Sequence, residues 1–173
     1  MTSSRPLPLL GALAAACATI GGPVLERPAP PFQITLLDGS RFDLAAHRGE
    51  VVLINFWATW CEPCRAEMPA LDAFYLRQRD RGLYVLGLSG DKQRARAEVA
   101  RAMAPFHYPA ALLGDAQENG FGEPAVYPST YVIDRRGVLA LVLTPSEHNL
   151  DDATLTARIA PLLERAPERS RSP

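Results

Sequence analysis

Lysine is almost missing from this sequence of 173 residues, because only Lys92 among its 18 basic residues is a lysine. The arginines are scattered without a basic cluster, and with 19 acidic residues the formal net charge is −1. Recognition of nucleic acid through its phosphates needs a basic stripe or patch. The charge pattern therefore argues against a nucleic-acid partner.

Cysteine and histidine are also scarce, with three residues of each. His47, His107 and His148 are isolated in the sequence, and only Cys61 and Cys64 form a CxxC pair. A structural zinc site takes four such ligands, so the composition argues against zinc. A copper site that uses both thiolates and either His107 or His148 stays open as an alternative.

Long apolar runs are missing as well, apart from an uncharged stretch over residues 6–24 that follows Arg5. Gly21, Gly22 and Pro23 interrupt it, whereas a membrane-spanning helix needs about 20 consecutive apolar residues. A short positive region followed by an apolar core predicts an export signal over residues 1–22. Cys17 ends the letters LAAAC, which resemble a bacterial lipobox and imply a lipidated cysteine; the alternative is a small residue in a discarded signal.

The rest of the chain divides into a tether, one domain and a tail. Prolines at positions 23, 28, 30 and 31 predict an extended tether over residues 23–31. The folded domain is expected over residues 32–164, a length that suits a single domain. The charged segment 165–173, bracketed by prolines, is expected to be a flexible tail.

Hydrophobic periodicity predicts an α/β order of elements. A hairpin over residues 32–44, with an Asp38-Gly39 turn, precedes a strand over 51–57 that is apolar apart from Asn55. A helix over 62–81, a strand over 83–88, a helix over 91–103, a hairpin over 130–143 and a last helix follow. One parallel crossover with an antiparallel edge predicts a thioredoxin fold, a central mixed sheet flanked by helices, with an N-terminal β-hairpin extension.

The position of the CxxC favours chemistry over a structural staple. Cys61 is expected where a strand ends and a helix begins, and the unpaired N–H groups and the macrodipole of a helix N-terminus stabilise a thiolate. Cys64 follows one turn later, within reach of a disulfide. Pro63 is tolerated in a first helical turn. A disulfide that closes so small a loop restrains the unfolded chain very little.

Two segments carry a resemblance to a known family. The letters FWATWCEPCRAEMP, residues 56–69, resemble the active-site segment of the TlpA/ResA/DsbE group, which are exported, membrane-tethered thioredoxin-like thiol–disulfide oxidoreductases. The letters YPSTYVID, residues 127–134, match the segment in which that family places a cis-proline facing the active site. The resemblance extends over residues 32–163. It implies a periplasmic or otherwise extracytoplasmic protein held at the membrane.

The resemblance also implies roles for individual residues. Cys61 would be the attacking, more exposed thiol and Cys64 the resolving one. Trp60 would shield the pair from solvent, with a plain core aromatic as the alternative. Trp60, Tyr127 and Pro128 would bind an extended substrate segment. Glu67 matches the family's acidic residue near the resolving cysteine. A partly buried carboxyl there would have a raised pKa and could exchange a proton with Cys64, although a solvated helix glutamate is the alternative.

Electrostatics predict the direction of electron flow. The Glu62 carboxylate between the cysteines repels a thiolate, which makes the dithiol more reducing. We therefore expect a monomeric reductant of protein disulfides, with apocytochrome c as a candidate substrate, a membrane thiol–disulfide protein as electron donor, and no cofactor or resident metal. Copper delivery and thiol peroxidase activity are the alternatives. The chain departs from the family's usual pattern in residues 121–126 and 143–148, both beside the expected substrate groove.

Overall fold

The computed structural model describes residues 27–145 and 149–164. Their regular elements follow this order: β1 (Arg27–Pro28), β2 (Phe32–Thr35), β3 (Arg41–Asp43), β4 (Val51–Trp57), α1 (Glu62–Gln78), β5 (Leu83–Ser89), α2 (Arg96–Met103), β6 (Ala110–Leu112), β7 (Ala116–Asn119), β8 (Ser129–Ile133), β9 (Val138–Leu143) and α3 (Asp152–Glu164).

The central sheet has the strand order β1-β9-β8-β4-β5-β6. Strand β4 is parallel to β5, and β5 to β6, whereas β8 is antiparallel to β4 and β9 to β8. Every side chain of β4 is buried, as expected for a largely apolar run that is covered on both faces. Its one polar residue, Asn55, donates a hydrogen bond to the Thr130 hydroxyl at 2.9 Å. The mixed sheet confirms the predicted thioredoxin fold.

The two faces of β4 belong to two different apolar clusters. Val51, Leu53 and Trp57 lie in one cluster with the buried residues of all three helices, including Leu71 of α1 and Ile159 of α3. The alternate β4 residues lie in the other cluster with the apolar side chains of the N-terminal hairpin. The period of two along a strand produces this division.

The N-terminal hairpin forms as predicted, with β2 antiparallel to β3. Asp38 fixes its turn by accepting hydrogen bonds from the backbone N–H and the hydroxyl of Ser40, at 2.9 and 2.7 Å. Strand β7 pairs with the other side of β2. The sequence predicted neither β6 nor β7, because their alanine, glutamine, glutamate and asparagine residues are poor β-formers that depend on neighbouring strands.

Three boundaries differ clearly from the predicted ones. Helix α1 ends at Gln78, and residues 79–81 form a 3-10 turn. Arg27 and Pro28 pair with β9, and the Ala29 N–H donates to the Gly137 carbonyl at 2.9 Å, so the ordered fold begins before Phe32. The helix predicted to start at Asp91 starts at Arg96 instead, after a short 3-10 turn. The export signal with Cys17, residues 23–26 of the tether, and the tail lie outside the described residues. Within 27–145 and 149–164, no helix is both long and apolar enough to cross a bilayer.

Arg135 is expected to contribute strongly to stability at the sheet end away from the CxxC. Its guanidinium donates to the carbonyls of Gly49, Arg81 (2.7 Å) and Leu163 (2.9 Å), the last of these in the final turn of α3. Arg135→Ala leaves three carbonyls without this charged donor, so we expect the free energy of unfolding to fall by about 2 kcal/mol. Urea denaturation measures it. The exposed Arg94→Ala is the control, and equal losses in both variants would contradict the prediction.

Candidate active site

Cys61 and Cys64 form a disulfide at the start of α1. Cys61 is the N-cap residue, with extended backbone angles (φ −89°, ψ 98°), and its sulfur accepts a hydrogen bond from the Cys64 N–H at 3.3 Å. Pro63 occupies the first turn, where its missing N–H leaves no bond unmade. The cysteines are 5% and 2% exposed, respectively, so the expected difference in exposure is small in the disulfide form.

An exposed aromatic surface lies beside the disulfide. Trp60 is 69% exposed, and its ring meets that of Tyr127 edge to face with centroids 5.6 Å apart. Val126, next to Tyr127, is 44% exposed. By contrast, Trp57 lies three residues before Trp60 and is fully buried in the core cluster that contains both cysteines. Residues 60, 126 and 127 are here called the aromatic face.

Tyr127 fits against a glycine that the sequence analysis did not single out. A Cβ atom on Gly90 would lie 2.1 Å from the Tyr127 hydroxyl oxygen, so only glycine leaves the ring its space. The Tyr127 hydroxyl lies 3.5 Å from a Glu123 carboxylate oxygen. Burial is the main cause that raises the pKa of Tyr127 from 10 to about 12, and the Glu123 carboxylate is the second. The phenol is therefore neutral at physiological pH.

Glu67 and Pro128 border the same narrow cleft. The Tyr127–Pro128 peptide bond is cis, as the resemblance implied. Glu67 lies one turn after Cys64 on α1, and its Oε1 accepts a hydrogen bond from the Leu150 N–H at 3.2 Å. The remaining lining residues are Thr130, Leu143, Thr144, Pro145 and Leu150, and residues 143–145 among them belong to the segment that departs from the family pattern.

Burial raises the pKa of Glu67, and the hydrogen bond from Leu150 opposes that shift. The expectation of a partly buried carboxyl with a raised pKa is therefore confirmed. A carboxyl of this kind is a better proton acceptor near neutral pH than a fully solvated glutamate.

Asp91 is the main site residue that the sequence did not indicate. Its carboxylate accepts hydrogen bonds from the backbone N–H and the hydroxyl of Thr59, both at 2.8 Å, and from the Ser89 hydroxyl at 2.7 Å. The Asp91 carboxylate is thus bonded to the loop before Cys61. Asp91 is not part of α2, which starts at Arg96. The order of the predicted strands could have indicated this contact, because the carboxyl ends of the parallel strands β4 and β5 meet at one edge of the sheet.

The two histidines that the structure describes contact acidic residues away from the disulfide. His107 donates its backbone N–H to the Asp72 carboxylate at 2.6 Å, and its Nδ1 lies 2.9 Å from the same carboxylate. His47 contacts Glu50 at 2.6 Å. His148 lies outside the described residues. Within the described ranges, no three histidine, cysteine or acidic residues are grouped so that they could hold a metal ion.

The mixed sheet and the CxxC disulfide at the first turn of α1 define a thioredoxin-fold protein with a redox-competent cysteine pair. The chain belongs to the AhpC/TSA family, whose model matches residues 25–142.

Relatives agree with this assignment. The chain is 34% identical over 114 residues to thioredoxin-like protein YneN of Bacillus subtilis, covering 64% of this chain and 66% of that protein. It is 28% identical over 113 residues to thiol-disulfide oxidoreductase ResA of Bacillus cereus, covering 65% of each. The chain thus covers slightly less than two thirds of these relatives' lengths.

A solved structure agrees as well. A secreted thiol-disulfide isomerase from Corynebacterium glutamicum superposes with a TM-score of 0.63 at 25% identity, covering 79% of this chain and 86% of that one. The resemblance to the TlpA/ResA/DsbE group is confirmed.

Proposed function

We propose that this chain is a thiol–disulfide oxidoreductase that reduces protein disulfides. The observation that carries the proposal is the Cys61–Cys64 disulfide at the N-terminus of α1, beside the aromatic face. A helix N-terminus stabilises a thiolate, and an exposed aromatic surface offers apolar contacts to a substrate segment. Relatives with the name thiol-disulfide oxidoreductase support the activity.

The proposed reaction has two exchange steps. The reduced Cys61 thiolate attacks one sulfur of a substrate disulfide, forms a mixed disulfide and releases the other substrate sulfur as a thiolate. Cys64, after giving its proton to Glu67, attacks the Cys61 sulfur. The Cys61–Cys64 disulfide forms, and the second substrate sulfur leaves. Two electrons have passed to the substrate, and an external thiol reductant restores the dithiol.

We propose the reducing direction from the charges beside the cysteines. In the sequence Glu62 lies between the two cysteines, whereas Arg65 follows Cys64 and lies outside the CxxC. Both side chains are exposed. A neighbouring carboxylate disfavours the thiolate, and a less stabilised thiolate gives up its electrons more readily. Trp60, Tyr127 and Pro128 are proposed to hold the substrate segment next to Cys61.

We further propose that the protein works outside the cytoplasm and is held at the membrane through its export signal or a lipid on Cys17. The signal-like N-terminus supports export, and so does the structural similarity to a protein described as secreted. Apocytochrome c is the candidate substrate, and a membrane thiol–disulfide protein is the candidate electron donor.

Catalysed reduction of insulin by dithiothreitol tests the proposed activity, because the freed B chain precipitates and scatters light. The full-length protein at micromolar concentration is expected to shorten the lag before precipitation relative to dithiothreitol alone. An unchanged lag, and an unchanged rate with a disulfide-containing peptide, would refute the activity. Tight copper binding by the reduced protein, measured by metal analysis after gel filtration, would then favour the copper-delivery alternative.

Glu67→Gln is expected to slow the second exchange step while raising stability at pH 7. The variant removes the proton acceptor, so the mixed disulfide should resolve more slowly by up to about 100-fold. A carboxyl whose pKa is raised by folding stabilises the fold below its unfolded pKa, and this contribution is lost as the pH rises through the folded pKa. Glutamine avoids burying an ionised group, and its side-chain oxygen can still accept the hydrogen bond from the Leu150 N–H.

Stopped-flow kinetics and urea denaturation at pH 4 and pH 7 measure the two effects of Glu67→Gln. The gain in stability over wild type should be larger at pH 7 than at pH 4, because Glu67 is more protonated at low pH. Glu62→Gln, at an exposed glutamate on the same helix, is the control for stability. A loss of stability at pH 7 confined to Glu67→Gln would contradict the burial argument.

A further inference from the structure

Asp91 lies 27 residues beyond the CxxC, yet its carboxylate is bonded to the segment that presents Cys61. It accepts two hydrogen bonds from Thr59, from the backbone N–H and the hydroxyl, each at 2.8 Å. The Ser89 hydroxyl donates a third bond at 2.7 Å and in turn accepts the Asp91 N–H at 3.1 Å. The loop before Cys61 is thereby joined to the end of β5.

The loop held in this way is short and directly precedes the helix. The Cys61 N–H donates to the Ala58 carbonyl at 3.1 Å, so residues 58–61 form one turn. Thr59 is the second residue of that turn, and its N–H bonds to Asp91. Just before the turn, the Trp57 carbonyl accepts the Gly90 N–H at 2.9 Å. Two consecutive residues after β5 therefore fix the backbone from which both Trp60 and Cys61 project.

Gly90 also borders Tyr127, which is part of the aromatic face. Gly90 leaves the space in which the Tyr127 ring lies, and that ring contacts Trp60. Trp60 itself is 69% exposed, so its side chain has little packing of its own to hold it in place. Its position depends on the backbone turn and on Tyr127.

We propose that Asp91 is a positioning residue for thiol–disulfide exchange, which holds the turn 58–61 so that Cys61 and Trp60 meet the substrate in the geometry required for attack. The proposal rests on the proposed function and adds a residue outside the CxxC and cis-proline segments to it. Exchange requires an aligned approach of the thiolate to the disulfide, and small displacements of a reacting group lower the rate strongly.

Three variants of the full-length protein test this role. Asp91→Ala removes all three acceptor bonds. Asp91→Asn keeps the shape, because its oxygen can accept from the Thr59 N–H and its NH₂ group can donate to a hydroxyl. Asp72→Ala is the matched structural control, since Asp72 also holds a backbone N–H of another segment, that of His107, at 2.6 Å. Activity with a disulfide-containing peptide is measured well below each variant's unfolding temperature, together with amide exchange of Thr59 by NMR.

Asp91→Ala is expected to lower kcat/KM about tenfold and to speed the exchange of the Thr59 amide. Asp91→Asn should recover most of the activity, and Asp72→Ala should keep the wild-type kcat/KM. Wild-type activity in Asp91→Ala, or an equal loss in Asp91→Asn, would overturn the positioning role. If the wild-type protein reduces no disulfide, the proposed function fails. The Thr59 exchange rate then decides the positioning claim, and an unchanged rate in Asp91→Ala overturns it.

Discussion

Replacement of Cys61 by serine is expected to abolish disulfide reduction, whereas replacement of Cys64 is expected to accumulate mixed disulfides between Cys61 and its substrates. The difference follows from the order of the two exchange steps. Without Cys61 there is no attacking thiolate at the N-cap of α1. Without Cys64 the first step still proceeds, but nothing resolves its product. Non-reducing electrophoresis and mass spectrometry after incubation with a disulfide-containing peptide measure both outcomes.

The serine variants control for each other, because each carries the same substitution within one helical turn. Neither forms the Cys61–Cys64 disulfide, so a difference between them cannot come from the loss of that bond. A Cys61→Ser protein that captures substrate, with a Cys64→Ser protein that does not, would reverse the two roles. Capture by neither variant would contradict exchange at this pair.

Trp57→Ala is expected to lower the free energy of unfolding by about 3–5 kcal/mol, whereas Trp60→Ala is expected to change it by less than about 0.5 kcal/mol. Trp57 is fully buried in the core cluster that contains both cysteines, so its removal leaves a cavity. Trp60 is 69% exposed and contacts Tyr127. Its removal should instead raise KM for a peptide disulfide. Urea denaturation and steady-state kinetics measure the two quantities.

Trp57→Phe extends this comparison. The Trp57 Nε1–H is buried and has no hydrogen-bond partner among the described residues. Phenylalanine fills most of the cavity and removes that unpaired donor, so its cost should be well below that of Trp57→Ala. Equal losses of stability in Trp57→Ala and Trp60→Ala would contradict the division into a core tryptophan and a surface tryptophan.

The sequence predicted best the parts of the fold that are determined by local pattern. The largely apolar run over residues 51–57 indicated a strand covered on both faces, and the position of Cys61 at a helix N-terminus followed from it. Strand β6 could not be predicted in this way, because Ala110–Leu112 is strand only through its pairing with β5.

The candidate site shows the same limit. The CxxC and Glu67 share one helix, so their proximity follows from helical spacing. The contact between Thr59 and Asp91 joins residues that are 32 positions apart, and it exists because two parallel strands end at one edge. Likewise, the need for glycine at position 90 appears only when Tyr127 is brought against it by the fold.

The reduction potential of the Cys61–Cys64 pair tests most directly whether the protein is a reductant. The protein is equilibrated in dithiothreitol buffers of known potential, its free thiols are alkylated, and the oxidised fraction is determined by mass spectrometry. We expect a value below about −200 mV, toward that of thioredoxin at about −270 mV. A value near about −120 mV, the potential of the oxidant DsbA, would contradict a role in reducing protein disulfides.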